Sequence, residues 1–185
     1  VLQESGADTA FLRVWQAADS RTLFSRPIQP DPAFDAIRFS PNGEQFAIRM
    51  GSNIQIRSAT DGQRQEPLSG ASAGDSLSFN GDGALLAAGG ANRKVLVWQV
   101  EKGELVNSYE GHAAGISAVA ISPNGSLVAS GDNDGNVHLW ATVTGEQLAT
   151  FSESETYVLF AAFSRPGDQL VVAWNDGQVL FFDVE

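Results

Sequence analysis

The 185-residue sequence contains no cysteine. Disulfides, thiolate zinc sites and cysteine nucleophiles are excluded by that fact alone. Basic charge is scarce: eleven Lys and Arg stand against twenty-two Asp and Glu, for a formal net charge of −11. Phosphate-binding surfaces need clustered Lys and Arg, and here they are scattered, so neither a nucleic acid nor an anionic membrane is an expected partner. The charge favours solubility and basic partners and says nothing about fold. No apolar run approaches the roughly 18 residues that a bilayer-spanning helix needs, so membrane insertion is not expected. No secretory leader is visible. The sequence opens VLQES without Met, as if part-way through a strand, and reads as part of a longer chain in a cytoplasmic setting. Helical periodicity is almost wanting as well.

What is present is an ordinary globular mix, 43% apolar and 18% charged, with nineteen glycines at turn-like spots. Short runs such as SAVAIS, VLVW and LVVAW are strand-sized and mix β-branched with small apolar residues. The chain therefore reads as all-β. It also repeats. The segments 34–62, 75–103, 116–145 and 158–185 share one pattern. Turn glycines fall at Gly43, Gly83, Gly125 and Gly167. Strand ends fall at Trp15, Arg57, Trp98, Trp140 and Phe182. Five residues after the strand ends come Ser20, Gly62, Gly103 and Gly145. All three ladders step by 40 to 42 residues. A fixed period of this length is the mark of a repeat architecture.

Each complete unit predicts four strands: a small-apolar first strand, an SPNG-type turn, a second strand, a Gly/Asn/Asp turn, a third strand and a less apolar fourth. Pro followed by Asn-Gly, and Asp-Gly, supply the backbone angles that tight hairpins require. The predicted pieces are 1–26, 33–69, 74–110, 115–152 and 157–185, with the first lacking its inner strand and the last its outer one. Runs that are apolar on both faces, such as SAVAI, call for sheets stacked on either side, and radial stacking about an axis provides this.

The sequence resembles the WD-repeat β-propeller family. The best unit carries Gly111-His112, ISAVAISPNG, LVASGD, Asp134-Gly135 and Trp140; the family's usual final Asp is Ala141 here. The resemblance implies a β-propeller of four-stranded antiparallel blades, present as a partial ring of about five blades. The ring would be completed by further chain segments or by a second copy. It also implies a structural tetrad of His112, Ser130, Asp134 and Trp140, tied by hydrogen bonds. One period earlier only Trp98 of this set survives, and one period later only Asp176 does. One tetrad is therefore expected, with the blade of Arg57 the least regular.

Sharper chemistry fares poorly on the same residues. Asp132-Asn133-Asp134-Gly135 looks like the start of a calcium loop, but the position that should hold a bidentate Glu is Val143. His112, Asp134 and Ser130 have the residue types of a nucleophilic triad, but no G-x-S-x-G elbow is present. No metal, cofactor or catalytic residue is assigned. His138, two residues from Trp140, is expected to pack. Tyr157, Leu159 and Trp174 fall where other units carry mainly small or polar residues, at positions the family places on a loop-built rim. With Asn175, Ser117 and Asn133 they form the candidate partner-binding set. The Pro-rich stretch 25–35 predicts a stiff connector. The expected function is a non-catalytic protein-interaction scaffold, sensor or adaptor within a larger protein. The alternatives are a central-channel site for a small ligand or enzymatic reaction, for which Asp35, Arg38, Asp75 and Ser117 are the few polar candidates, or a structural oligomerisation module.

Overall fold

The structure is a computed structural model that describes residues 10–28, 34–50, 52–65, 68, 70 and 76–184. Every named element is a β-strand, and every pairing between named strands is antiparallel. The first sheet pairs β1 (Ala10–Trp15) with β2 (Thr22–Ile28), and the second is β3 (Phe34–Phe39), β4 (Gln45–Met50) and β5 (Asn53–Ser58). The third holds β6 (Leu77–Phe79), β7 (Leu85–Gly89), β8 (Val95–Gln99) and β9 (Glu104–Tyr109). The fourth holds β10 (Ile116–Ile121), β11 (Leu127–Asp132), β12 (Val137–Ala141) and β13 (Gln147–Phe151). The fifth holds β14 (Val158–Phe163), β15 (Gln169–Trp174) and β16 (Val179–Asp183).

Strand order within each sheet follows the chain, so every sheet is a simple meander. The SPNG-type turns repeat one device. Ser40, Ser122 and Ser164 each accept, at Oγ, the amide of the residue five positions on, while Asn80 does so through its Oδ1. Sequence reading credited the Pro and Gly of these turns; the preceding Ser or Asn also closes the hairpin. The later ladder is a backbone requirement: Gly62, Gly103 and Gly145 have φ of 69°, 67° and 70°, in the left-handed region that glycine tolerates best.

Sheets stack through their inner strands, with β3 against β6, β6 and β7 against β10, and β10 and β11 against β14. Four apolar clusters fill the gaps, one between each consecutive pair of sheets. Phe46, Leu86, Val95, Val128 and Trp140 are sealed in them. Burial on both faces explains why β7, β8, β10 and β12 read as near-continuous apolar runs, while the outermost strands β9 and β13 are largely exposed.

Two expectations change. Four strands were expected in the second unit, but its fourth is reduced, among the described residues, to isolated bridges Ile54–Leu68 and Arg57–Arg64. This is the sheet in which Arg57 replaces the strand-end Trp. A guanidinium has no flat apolar face of indole size to pack, and it turns back to donate to the Gly62 carbonyl and Gln55 Oε1, both at 3.0 Å. The stretch 25–35 is also not all connector: β2 runs on to Ile28, with Pro27 exposed in the strand. Pro is tolerated at a sheet edge, where its missing amide breaks no ladder bond. Residues 29–33 lie outside the described residues, as does the expected strand in 1–9.

Candidate functional site

The rim is built where strands start and neighbouring hairpins turn. The Asn133 amide donates to the Gly115 carbonyl (2.9 Å), setting the β11–β12 turn beside the start of β10. The Asn175 amide donates to the Tyr157 carbonyl (3.1 Å), repeating that arrangement one unit on. Between them the Ser117 hydroxyl donates to the Val158 carbonyl (2.7 Å), bridging the fourth and fifth sheets. Ser117, Asn133, Tyr157, Leu159 and Asn175 therefore share one edge of the stack. Leu159 is 57% exposed and Tyr157 39%. Leu159 stands out because the β14–β15 register slips between Val158 and Phe160, leaving it without a cross-strand partner.

Trp174 does not belong to this surface. It is buried, and its indole N–H donates to the Gly135 carbonyl at 2.9 Å. Alternation along β15 explains the correction. Leu170, Val172 and Trp174 point the same way, into the cluster shared with the fourth sheet. The sequence showed an unusual Trp beside a turn; strand parity assigns it to the core.

Beneath the rim lies a buried polar cluster. The His112 Nδ1–H donates to Asp132 Oδ2 (2.8 Å), and its Nε2 accepts from Ser130 Oγ (2.7 Å). Asp132 Oδ1 accepts the amides of Asp134 (3.1 Å) and Asn136 (2.9 Å). Asp132, not Asp134, is thus the carboxylate on His112. Ser130 and Asp132 are two residues apart on β11 and share a face, whereas Asp134 sits in the turn, exposed. Trp140 is fully buried, but its Nε1 has no hydrogen-bond partner among the described residues. It contributes instead by stacking on Tyr109 at 5.1 Å.

His138 packs as expected, while Tyr109 and Gln147 join this cluster without a role assigned from sequence. His138, directly opposite Ser130 across the β11–β12 ladder, stacks on His112 with centroids 4.0 Å apart. Its Nδ1 lies 2.6 Å from the Tyr109 hydroxyl, which also donates to Gln147 Oε1. Tyr109 ends β9 of the third sheet, so the cluster staples the third sheet to the fourth. Burial drives the pKa of His138 down from 6.5 to about 4, with repulsion from His112 adding to it. His112 is also lowered, by burial, against the opposing pull of its Asp132 hydrogen bond. Both rings are neutral at pH 7. Ser130, His112 and Asp132 have the connectivity of a nucleophilic triad, but Ser130 is fully buried, and no substrate carbonyl can reach its hydroxyl.

A third feature is a cavity of about 720 Å³ along the inner strands β3, β6, β10 and β14. Small side chains such as Ser78, Ala120 and Ala162 line it, with Arg38 and Arg165 as its charged groups among the described residues. Asp75 and the side chain of Asp35 lie outside the described residues.

Meandering antiparallel sheets stacked by a 42-residue period, with a His–Ser–Asp cluster beside a strand-end Trp, define a WD-repeat fold. The WD40 family model (WD domain, G-beta repeat) matches residues 68–99 and 103–141, so this part of the chain carries WD40 repeats, folded as β-propeller blades. Among curated proteins it is similar to the serine-threonine kinase receptor-associated proteins of Rattus norvegicus, Mus musculus and Homo sapiens. Each is 31% identical over 117 residues, which is 63% of this chain and 33% of the relative. The chain thus matches about a third of the length of these relatives.

Proposed function

We propose that this protein is a non-catalytic interaction adaptor that recognises a protein partner through the rim of Ser117, Asn133, Tyr157, Leu159 and Asn175. The observation that carries the reading is the pairing of exposed Tyr157 and Leu159 with that hydrogen-bonded edge. An apolar anchor ringed by amides and hydroxyls, on a rigid base, is the arrangement of a binding hot spot. The similar proteins are named as receptor-associated, which accords with a role in protein assembly. The cytoplasmic setting goes with this reading. The sealed Ser130 supports the non-catalytic half of it.

The test is recovery of partners by the purified chain, wild type against Tyr157→Ala/Leu159→Ala. Loss of about tenfold or more in affinity is expected for partners that use the rim. Trp174 is left intact, because its removal would open the core. Unchanged recovery of every partner by a variant of wild-type stability would discard the rim.

The alternative site in the inner cavity has less to support it. Of its hydroxyls, Ser78 accepts the Ile121 amide, Ser117 donates to the Val158 carbonyl and Ser164 donates to Asp168 Oδ1, so they are engaged within the fold, and Arg38 and Arg165 are the charged groups of its lining among the described residues.

A further inference from the structure

We propose that Arg26, Arg57 and Arg64 form an oxyanion site at the outer edge of the gap between the first and second sheets, and that it takes a phosphate monoester dianion. The inference is independent of the rim, because it uses none of the rim residues.

The eleven Lys and Arg are scattered along the sequence and outnumbered by twenty-two Asp and Glu. Three of them meet in the fold. Phe46 faces the first sheet, and Arg57 lies directly opposite it across the β4–β5 ladder, on the same face. Arg64 is bridged to Arg57 and shares that face. On β2, Phe24 faces the second sheet, so alternation turns Arg26 the same way. Arg26 and Arg57 converge on one turn. Arg26 Nε donates to the Asp61 carbonyl (2.7 Å), and a terminal nitrogen of Arg57 donates to the Gly62 carbonyl (3.0 Å).

The repeat shows what fills this place elsewhere. Arg57 stands on the ladder at the position of Trp140. Arg26 lies opposite Leu12, three residues before Trp15, as Tyr109 lies opposite Val95, three residues before Trp98. Arg26 and Arg57 are therefore the counterparts of Tyr109 and Trp140, whose rings stack between the third and fourth sheets. An aromatic pair is exchanged here for two cations. Two guanidiniums in that place repel each other, and an anion between them turns the repulsion into two attractions.

Among the described residues, none of the three arginines forms an ion pair, and Arg57 Nε is buried without a hydrogen-bond partner. Burial, and after it the charges of Arg64 and Arg26, push the pKa of Arg57 below its ordinary value. Asp61 feels Arg26, but its Oδ1 accepts the Gln63 amide. Three guanidiniums against this one carboxylate leave an excess of positive charge that suits a phosphate monoester, which carries about −1.5 to −2 at pH 7. The flat guanidinium fork fits phosphate oxygens two at a time. Both walls of the gap belong to described sheets, so further repeats stacked on either end face leave this edge open.

Titration of the 185-residue chain, followed by nuclear magnetic resonance, tests the proposal. The probes are inorganic phosphate and a serine-containing peptide in phosphorylated and unphosphorylated form. Phosphate is expected to bind, and to bind more weakly as salt rises. Arg26→Gln/Arg64→Gln, which leaves the half-buried Arg57 in place, is expected to weaken binding about tenfold or more. Arg93→Gln/Lys102→Gln removes the same charge from exposed positions elsewhere and should leave affinity unchanged. A phosphopeptide that binds more tightly than phosphate, with its unphosphorylated form inert, identifies a modified protein segment as the source of the group. Equal affinity identifies a small phosphate ligand. Circular dichroism confirms that the variants fold; where Arg26→Gln/Arg64→Gln does not, Arg64→Gln alone takes its place. A wild type that binds neither phosphate nor phosphopeptide, as expected if a carboxylate outside the described residues fills the gap, overturns the proposal. So does unchanged affinity in Arg26→Gln/Arg64→Gln, or equal weakening by Arg93→Gln/Lys102→Gln, which would mean that overall charge alone attracts the anion.

Discussion

His112 reaches two residues of β11, Ser130 and Asp132, that alternation puts on one face, and this gives it Asp132 as its carboxylate in place of the Asp134 expected from sequence. Asp134 stands at the turn position where the family resemblance places its carboxylate. Asp132 is the one that is buried, and it accepts the imidazole N–H and two backbone amides. Removing a buried acceptor strands its donors, at about 1–3 kcal/mol. Asp132→Ala is therefore expected to lower unfolding free energy by about 2–4 kcal/mol, since a charged acceptor serves several donors at once. Asp134→Ala should stay within about 0.5 kcal/mol, as an exposed turn substitution. Urea denaturation of the two variants decides the assignment, and a larger loss at Asp134 would reverse it.

The stacked pair His112–His138 also sets a pH dependence. Both folded-state values lie below 6.5, the ordinary value for a histidine. A lowered imidazole binds its proton more readily unfolded than folded, so its contribution is complete above pH 6.5 and is lost as pH falls toward about 4. The groups facing the pair are Asp132, which favours its protonation, and the Tyr109 hydroxyl, which is neutral in this range. Exposed Asp61 and Asp176, also lowered, act only below the ordinary carboxylate value of 3.8. Stability should therefore drop by about 1–3 kcal/mol between pH 6.5 and 4.5. His138→Phe, which keeps a ring against His112, should flatten the drop; an equal slope in that variant would place its origin elsewhere.

At the scale of the strand and the turn, most of the fold was legible in the sequence. Turn residues declare hairpins locally, and a 42-residue ladder multiplies a weak signal by the number of its copies. The ladder even holds where the residue type departs from it: Ser20, in the place of Gly62, Gly103 and Gly145, takes φ of 58°. That conformation belongs to the turn, and serine bears it at some strain. What was not legible depends on facing. Trp174 was read from its place beside a turn, and only the parity of β15 sends it inward. Tyr109 and Gln147 join the histidine cluster through contact between the third sheet and the fourth, which no spacing within one repeat encodes. Among the described residues the fourth strand of the second sheet is reduced to isolated bridges beside Arg57, the position that the ladder marked as an exception.

Across the whole molecule, stability should follow position in the stack. The third and fourth sheets are covered on both faces, by separate apolar clusters. Among the described residues, the first and fifth are each covered on one. In stacked repeats each unit gains from its neighbours alone, so an end unit has about half the interface of a central one. Local opening free energies range from near zero to the global value along such a gradient. Native-state hydrogen exchange of the 185-residue chain should therefore be slowest at amides of β7, β8, β11 and β12 and faster in β1, β2 and β16. Uniform protection along the chain would show instead that the sheets unfold as one unit.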